Sequence, residues 1–463
     1  MRIVPSAAAT IPSPTAPSAI PLRDLDAGRF KLHPTAVTWS QRSTRVTTAI
    51  LNHREGPRPP GPSLAEAVRQ IVPPNPLTDV RRAAHWWYHL GRQMFFLTQS
   101  FAGFAAHHVS EVVAAASSSS SASSVSTPFE RLLEDAEPEV ASRLLDGLVA
   151  VQQDYDNILA GCYPLPWDMT VPNHRQYNPL FAFGGSLAYL GEWTAITQRR
   201  LRKQPEPVWL SSSLYPRYFT NTFHYQTDGW LSERSGALYE FTTESLFSGM
   251  QDAMQRTSLI PISEYVREAE LGGRGVSELR LLEVAAGTGR FHTFIKDAYP
   301  SLPSVISDLS PFYLARAREN MRYWRDLRQP GRGLGGVDDT GVTQFLQTAA
   351  ENIDAADNQF DILVCVYLFH ELPEAIRRRA ASEFFRVLKP GGLLVVTDSV
   401  QLGDRPGLEG GIDVFGDFNE PYYRNYLSFN LGAMFEAAGF VCDTKYISSV
   451  TKTLSFRKPL DKS

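Results

Sequence analysis

Cysteine is scarce. The three thiols in 463 residues, Cys162, Cys365 and Cys442, are odd in number and far apart. That argues against a disulfide framework and against a cysteine-built zinc site, and it favours a reducing compartment. Long apolar runs are missing too. No stretch approaches the roughly 18 uncharged apolar residues of a membrane-spanning helix, and the most apolar helical stretch, 94–106, is too short and too polar. Neither sign of charge dominates. Lys and Arg number 45 against 49 Asp and Glu, a net charge of −4, so there is no bulk electrostatic pull toward nucleic acid or an anionic membrane. Acids are nearly absent from residues 1–54, where Asp24 and Asp26 stand alone among Ala, Ser, Pro, Thr and Arg2, Arg23, Arg29, Arg42, Arg45 and Arg54. That bias is the one organelle transit peptides have, and it predicts a plastid or mitochondrial destination, with a plain disordered N-terminus of a cytoplasmic protein as the other reading. There is no continuous apolar core of a secretory signal.

What is present divides the rest of the chain. The length suffices for two or three domains. Residues 55–213 predict a mainly helical N-terminal domain, with helices over 63–113, 129–159 and 180–200. A Ser/Ala-rich tract at 114–127 reads as an exposed loop. The first helix carries His85-Trp86-Trp87-Tyr88-His89 and further aromatics, a buried pattern. His85 and His89 share a helix face, yet no HExxH pattern and no intervening acid accompany them, so they read as core-flanking histidines and no metal is assigned. Residues 214–276 form an aromatic and helical connector or lid, with one helix over 233–257. Tyr218, His224, Tyr225, Gln226 and Trp230 in it either line a substrate pocket or form an aromatic seam between domains.

Residues 277–463 alternate apolar runs with helices, as a doubly wound sheet does. The informative stretch is Leu281-Leu282-Glu283-Val284-Ala285-Ala286-Gly287-Thr288-Gly289-Arg290-Phe291. A buried strand over 277–284 gives way to a helix over 291–299 through small residues, which let backbone N–H groups approach a ligand closely. The dinucleotide fingerprint needs a third glycine where His292 stands. Asp308 ends the next apolar run, Val305-Ile306-Ser307, where a carboxylate can accept from ribose hydroxyls. Ser310-Pro311 opens the following helix as cap and first residue. Further strands are read at 345–348, 360–366 and 393–397, helices at 374–388 (with Arg377, Arg378 and Arg379 on its surface) and 431–438, and a closing hairpin at 441–448 and 450–457.

These motifs resemble those of the class I S-adenosylmethionine-dependent methyltransferases, and within them the UbiE-like, type 11 small-molecule branch, over about residues 279–459. Glu283 to Gly289 is similar to motif I, with Ala285 in place of its first glycine. Asp308-Leu309-Ser310-Pro311 matches the acidic end of strand two. Phe360-Asp361-Ile362-Leu363-Val364 with Leu368-Phe369-His370-Glu371-Leu372-Pro373, and Phe385-Arg386-Val387-Leu388-Lys389-Pro390-Gly391-Gly392, match the segments around strands four and five. The resemblance implies a Rossmann-like seven-stranded sheet with helices on both faces, beside the mainly α N-terminal domain. It implies S-adenosyl-L-methionine as cofactor and a small-molecule methyl acceptor. Carried over by position, Glu283, Ala285, Gly287 and Gly289 bound the methionine and ribose parts, Asp308 holds both ribose hydroxyls and Leu309 packs on the adenine. Ala350 and Glu351 meet the adenine edge, although Ala349 stands where many relatives have an Asp. Val366 lies beside the sulfonium. Arg290 pairs with the cofactor carboxylate or lies on the surface.

Such chemistry needs alignment of the acceptor and, for oxygen or carbon, a base. His370 suits that task by position and ordinary pKa, with a structural role as the competing view. Tyr367, Glu371, Tyr422 and Tyr423 are further pocket candidates, the last two within 419–423. Two classes of function stand open. One is an enzyme methylating a quinone, lipid, phenol or similar molecule. The other is a cofactor-binding scaffold with a helical protein-interaction domain. A nucleic-acid or protein methyltransferase is disfavoured, since no Asn-Pro-Pro-Tyr-like tetrapeptide follows strand four and no basic groove is evident.

Overall fold

The central strands form where the sequence is apolar on both sides of the chain. In the computed structural model β1 is Leu281–Val284, β2 Ser304–Asp308, β3 Thr343–Gln347, β4 Phe360–Val366, β5 Leu388–Ser399, β6 Val441–Ser448 and β7 Thr451–Arg457. They make one seven-stranded sheet in the order β3-β2-β1-β4-β5-β7-β6. The first five are parallel, and β7 runs antiparallel between β5 and β6. The order reverses beside β1 and β4, which opens a crevice at the C-terminal ends of these two strands. Ligands of open α/β sheets bind there. The structure describes residues 73–117, 136–202, 215–220, 228–328, 342–406 and 420–460, all within one unit.

Alternate strand residues feed two cores. Leu282, Val284, Leu363, Cys365, Leu394 and Val396 face one side, against α9 (Glu374–Val387), α10 (Tyr423–Ser428) and α11 (Leu431–Ala437). Leu281, Ile306, Ile362, Val364, Leu393 and Val395 face the other, against α7 (Arg290–Ala298) and α8 (Pro311–Arg328). This second core also takes in Tyr163 and Trp167 from the N-terminal half. The Trp167 indole N–H donates to Thr293 Oγ1 at 2.9 Å.

Before the sheet lie α1 (Val80–Ser117), α2 (Ala136–Leu159), α3 (Pro179–Arg202), α4 (Glu233–Leu246), α5 (Gln251–Arg256) and α6 (Leu259–Leu271). Several differ from the sequence reading. Residues 73–79 precede α1 as irregular chain, and α1 runs on into the Ser/Ala tract as far as Ser117. The rest of that tract, the first 54 residues and the 213/214 border lie outside the described residues. The helix expected over 233–257 is two helices. The chain turns at Ser248 (φ 51°) and Gly249 (φ 78°). A Cβ on Gly249 would sit 2.8 Å from the Arg92 carbonyl oxygen of α1, so the break passes directly against the α1 backbone, where only glycine fits. A short 3₁₀ turn, Val276–Glu278, replaces the first part of the expected first strand, and α6 was not anticipated. Ser310 caps α8 as expected, accepting from the Tyr313 amide at 3.2 Å. No helix among the described residues is long and apolar enough to cross a membrane.

Candidate functional site

The glycine turn is built from left-handed backbone. Ala285 (φ 54°), Gly287 (φ 58°) and Gly289 (φ 67°) all take positive φ. Gly289 is required for packing as well, since an added Cβ would lie 2.9 Å from the Ala317 Cβ of α8. Ala285 carries a side chain in a conformation that costs an L-residue about 1–2 kcal/mol. Ala285→Gly is therefore expected to raise the melting temperature, by the equivalent of about 0.5–1 kcal/mol after glycine's own entropy loss. A lowered melting temperature would mean that the methyl group packs more than it strains.

Asp308 ends β2 beside this turn. Its Oδ2 accepts from the Gly287 amide at 2.9 Å and its Oδ1 from the Ser310 amide at 2.7 Å. Burial pushes its carboxyl up to about 6, against the opposing pull of those amide bonds. The Gly287 cradle is bounded by two rings. A Cβ there would meet Tyr239 of α4 at 3.7 Å and Tyr313 at 3.8 Å. Burial, then the charges of Glu371 and Asp308, hold the proton on the Tyr239 hydroxyl. One aromatic side chain thus senses both the Asp308 end and the His370 end of the crevice. Thr288 Oγ1, in the same turn, is buried with no hydrogen-bond partner among the described residues. Left-handed backbone, an orphaned hydroxyl and a carboxylate at the next strand end fit a nucleoside ligand with ribose hydroxyls.

Other residues of the expected set have found protein partners. Glu283 is buried and its Oε2 lies 2.7 Å from His292 Nδ1, whose Nε2 meets Ser304 Oγ at 2.8 Å. Burial, then the Asp308 charge, pushes the Glu283 carboxyl well up, and burial with Lys296 pushes the imidazole well down. Arg290 is neither on the surface nor turned to solvent. Its guanidinium pairs with Asp168 and, at 2.7 Å, with Asp252 Oδ2. Glu351 accepts the Tyr218 hydroxyl at 2.8 Å on both oxygens. Ala350 and Val366 are buried in the two sheet cores.

The structure gathers Tyr218, Trp230, Leu309, Leu368 and Tyr422 into one apolar cluster. Leu309, expected against adenine, therefore shares a wall with residues expected to line the substrate pocket. Tyr225 and Gln226, with His224, lie outside the described residues. Tyr367 follows β4 at φ 54°, stacks on Phe247 at 5.6 Å and bonds Thr451 Oγ1 at 2.6 Å through its hydroxyl.

His370 sits in a single 3₁₀ turn, Phe369–Glu371, just past β4. Its Nδ1 lies 2.6 Å from Asp398 Oδ1 and its Nε2 3.5 Å from Glu371 Oε1. Asp398 also accepts the Phe369 amide at 2.7 Å and the Ser399 amide at 2.7 Å. Burial would lower the imidazole pKa, but Asp398 and Glu371 together outweigh it and hold the ring well above its ordinary value, not at the ordinary value expected from the sequence. The Tyr423 ring stands 6.0 Å away. Glu420 is buried in the same group, and burial with the Glu371 charge pushes its carboxyl well up.

Asp398 was not anticipated, though it ends a legible strand next to β4, and Glu420 was read only as part of the 419–423 stretch, with no role of its own. Arg377 is a correction. It is not on the surface with Arg378 and Arg379 but fully buried. It donates to the Phe369 carbonyl at 2.8 Å, Asn425 Oδ1 at 2.8 Å and the Tyr422 carbonyl at 3.0 Å. It thereby fastens the His370 turn to the segment that carries Glu420 and Tyr422.

Residues 281–392 match a family model described as a methyltransferase domain. The ubiquinone/menaquinone biosynthesis C-methyltransferase UbiE of Pasteurella multocida is 30% identical over 120 residues, 26% of this chain and 39% of that protein. The demethylmenaquinone methyltransferase of Thermus thermophilus is 30% identical over 119 residues, 26% of this chain and 46% of that one. The chain thus spans less than half the length of the curated relatives it matches. Among solved structures, a SAM dependent methyltransferase from Aquifex aeolicus is 18% identical, covering 43% of this chain and 93% of that one at a TM-score of 0.29. So low a score adds no weight to the strand order described above.

Proposed function

From the premise that residues 281–392 are a class I S-adenosylmethionine-dependent methyltransferase domain of UbiE-like sequence, we propose that this chain methylates a small organic molecule, of the quinone, phenol or lipid type. The observation that carries the reading is the carboxylate of Asp308 beside the left-handed Gly287 cradle. Bound S-adenosylmethionine supplies a methyl group already activated by its sulfonium charge. The chain's tasks are to hold the ribose through Asp308 and to pack adenine on Leu309. It also has to exclude water with Tyr239, Tyr313 and Trp230, and to seat the acceptor against Tyr367, His370, Tyr422 and Tyr423. His370 is the residue we place against the acceptor's reacting group, oriented through Nδ1 by Asp398. No nucleic acid enters this reading.

Titration calorimetry with S-adenosylmethionine tests it. Asp308→Asn keeps the size and loses the charge, and is expected to weaken binding about 10- to 100-fold, the worth of one charged hydrogen bond. Unchanged affinity removes the ribose role. Since the Asp308 carboxyl is raised to about 6 in the folded chain, it takes up a proton as pH falls through that value. Affinity should then decline below about pH 6 and plateau above pH 7. A flat profile from pH 5 to 8 would contradict the assignment. Turnover is separated from mere cofactor holding by incubation with methyl-labelled cofactor and a metabolite extract. Label in no small molecule would favour the scaffold. The organelle destination is part of the same proposal and is checked by fusing residues 1–54 to a fluorescent protein.

A further inference from the structure

Two groups of buried side chains bring donor atoms of metal-ligand type together. They are His85, His89 and Asp154 in the helical half, and His370, Glu371 and Glu420 at the end of β4. In each, the donor atoms lie within 4.8 Å of one another. The first already contains a cation. Arg256 donates to Asp154 through Nε at 2.9 Å and Nη2 at 2.7 Å. His85 Nε2 at 2.8 Å and the Tyr163 hydroxyl at 3.0 Å complete that carboxylate. A metal ion would have to displace a buried guanidinium, so this group is a salt-bridged seam between helices.

The second group is arranged otherwise. Its neighbouring guanidinium, Arg377, is directed to two carbonyls and an amide oxygen and braces the backbone on both sides. His370 is turned by Asp398, which holds Nδ1 at 2.6 Å and leaves Nε2 facing Glu371. A carboxylate on the far nitrogen is what fixes the tautomer and direction of a metal-bound imidazole. His370, Glu371, Glu420 and Asp398 are all more than nine-tenths buried, which sets them apart from the acidic clusters common on surfaces.

We propose that His370 Nε2, Glu371 and Glu420 bind one divalent cation, with Asp398 as the supporting outer carboxylate. One imidazole nitrogen and two carboxylates suit Mn²⁺, Fe²⁺ or Zn²⁺ better than Mg²⁺ or Ca²⁺, which prefer oxygen alone. Two carboxylates match the charge of the ion, and three protein ligands leave positions open for the acceptor. A hydroxyl bound there gives up its proton to water and faces the cofactor as an oxyanion. The inference rests on the methyl-transfer reading for that last role, but binding of the ion does not depend on it. The acceptor class it selects carries an ionisable hydroxyl, alone or beside a second oxygen.

The test uses the full chain, stripped with EDTA and titrated with MnCl₂ in the absence of S-adenosylmethionine. Free Mn²⁺ is followed by its paramagnetic resonance signal. One saturable ion per chain is expected. Asp398→Asn should weaken it about 10- to 100-fold, Glu420→Gln by more, and His89→Gln and Asp308→Asn not at all. Thermal melts of each variant show whether it is folded. No saturable binding by the unaltered chain at millimolar Mn²⁺, or equal binding by a folded Glu420→Gln, overturns the site. Mn²⁺ bound as expected by a chain that fails to bind S-adenosylmethionine would sink the methyl-transfer reading and leave the metal site standing.

Discussion

His370→Ala is expected to lower kcat by about 10²- to 10⁴-fold, the usual worth of a positioned proton-handling group, and to leave the affinity for S-adenosylmethionine close to unchanged. The separation follows from place. His370 stands past β4, held by Asp398 at 2.6 Å, while the proposed ribose contact is at the end of β2. Its ring packs edge-on to Tyr423 and Tyr426, so a variant filling less space will also lose some stability. His370→Gln, closer in volume, is the control for that loss. Asp398→Asn should lower kcat in the same direction through the ring's orientation, with the S-adenosylmethionine affinity again preserved. The loss is common to a base and to a metal ligand, and the Mn²⁺ titration distinguishes them. A His370→Ala protein with full turnover would place the acceptor elsewhere.

The second large effect is on stability. Arg290→Ala is expected to destabilise the fold by about 3–5 kcal/mol in urea unfolding, because it strands buried charge. Arg290 opens α7 immediately after Gly289 and pairs with Asp168 and Asp252. Asp252 is also reached by Arg92 of α1, at 3.4 Å. Burial is the largest influence and would raise both carboxyls, but the surrounding cations, Arg290 foremost with Arg92 beside it, together hold them below the ordinary carboxylate range. Groups with lowered folded-state pKa stabilise above their unfolded pKa, and that stability is lost as pH falls through the folded value. The contribution is therefore intact at neutral pH and should disappear in acid. Arg290→Ala and the unaltered chain are expected to converge in stability as pH drops below about 4, where unfolded carboxylates take up protons. A loss under about 1 kcal/mol at pH 7 would mean that water or rearrangement serves the two carboxylates equally well.

Legibility in the sequence followed the range of the interactions. β1, β2, β4 and β5 were readable because buried parallel strands are nearly continuous apolar runs. The α8 cap and the closing hairpin were readable because they are made by neighbours in sequence. The break at Ser248–Gly249 was not, because its cause is the Arg92 carbonyl in another helix. Arg377 looked like one of three surface arginines, since nothing in Arg377-Arg378-Arg379 tells which one meets Phe369, Tyr422 and Asn425. In the site, Asp308 and the glycine turn carry a local pattern. Glu283 matched that pattern too, yet its carboxyl is turned to His292. His370 stood out as a histidine after a strand, but its partners Asp398 and Glu420 come from separate segments, and only the fold brings them together.

Tyr163 and Trp167 complete the same apolar layer as Leu281, Ile362 and Leu393. A gene trimmed to the recognisable 281–392 stretch would encode a sheet that has lost most of β5, with the β4 edge unpaired and part of the covering gone from both faces. Such a fragment is a poor candidate for crystallisation or antigen production, and cloning boundaries are better drawn well upstream, ahead of α1.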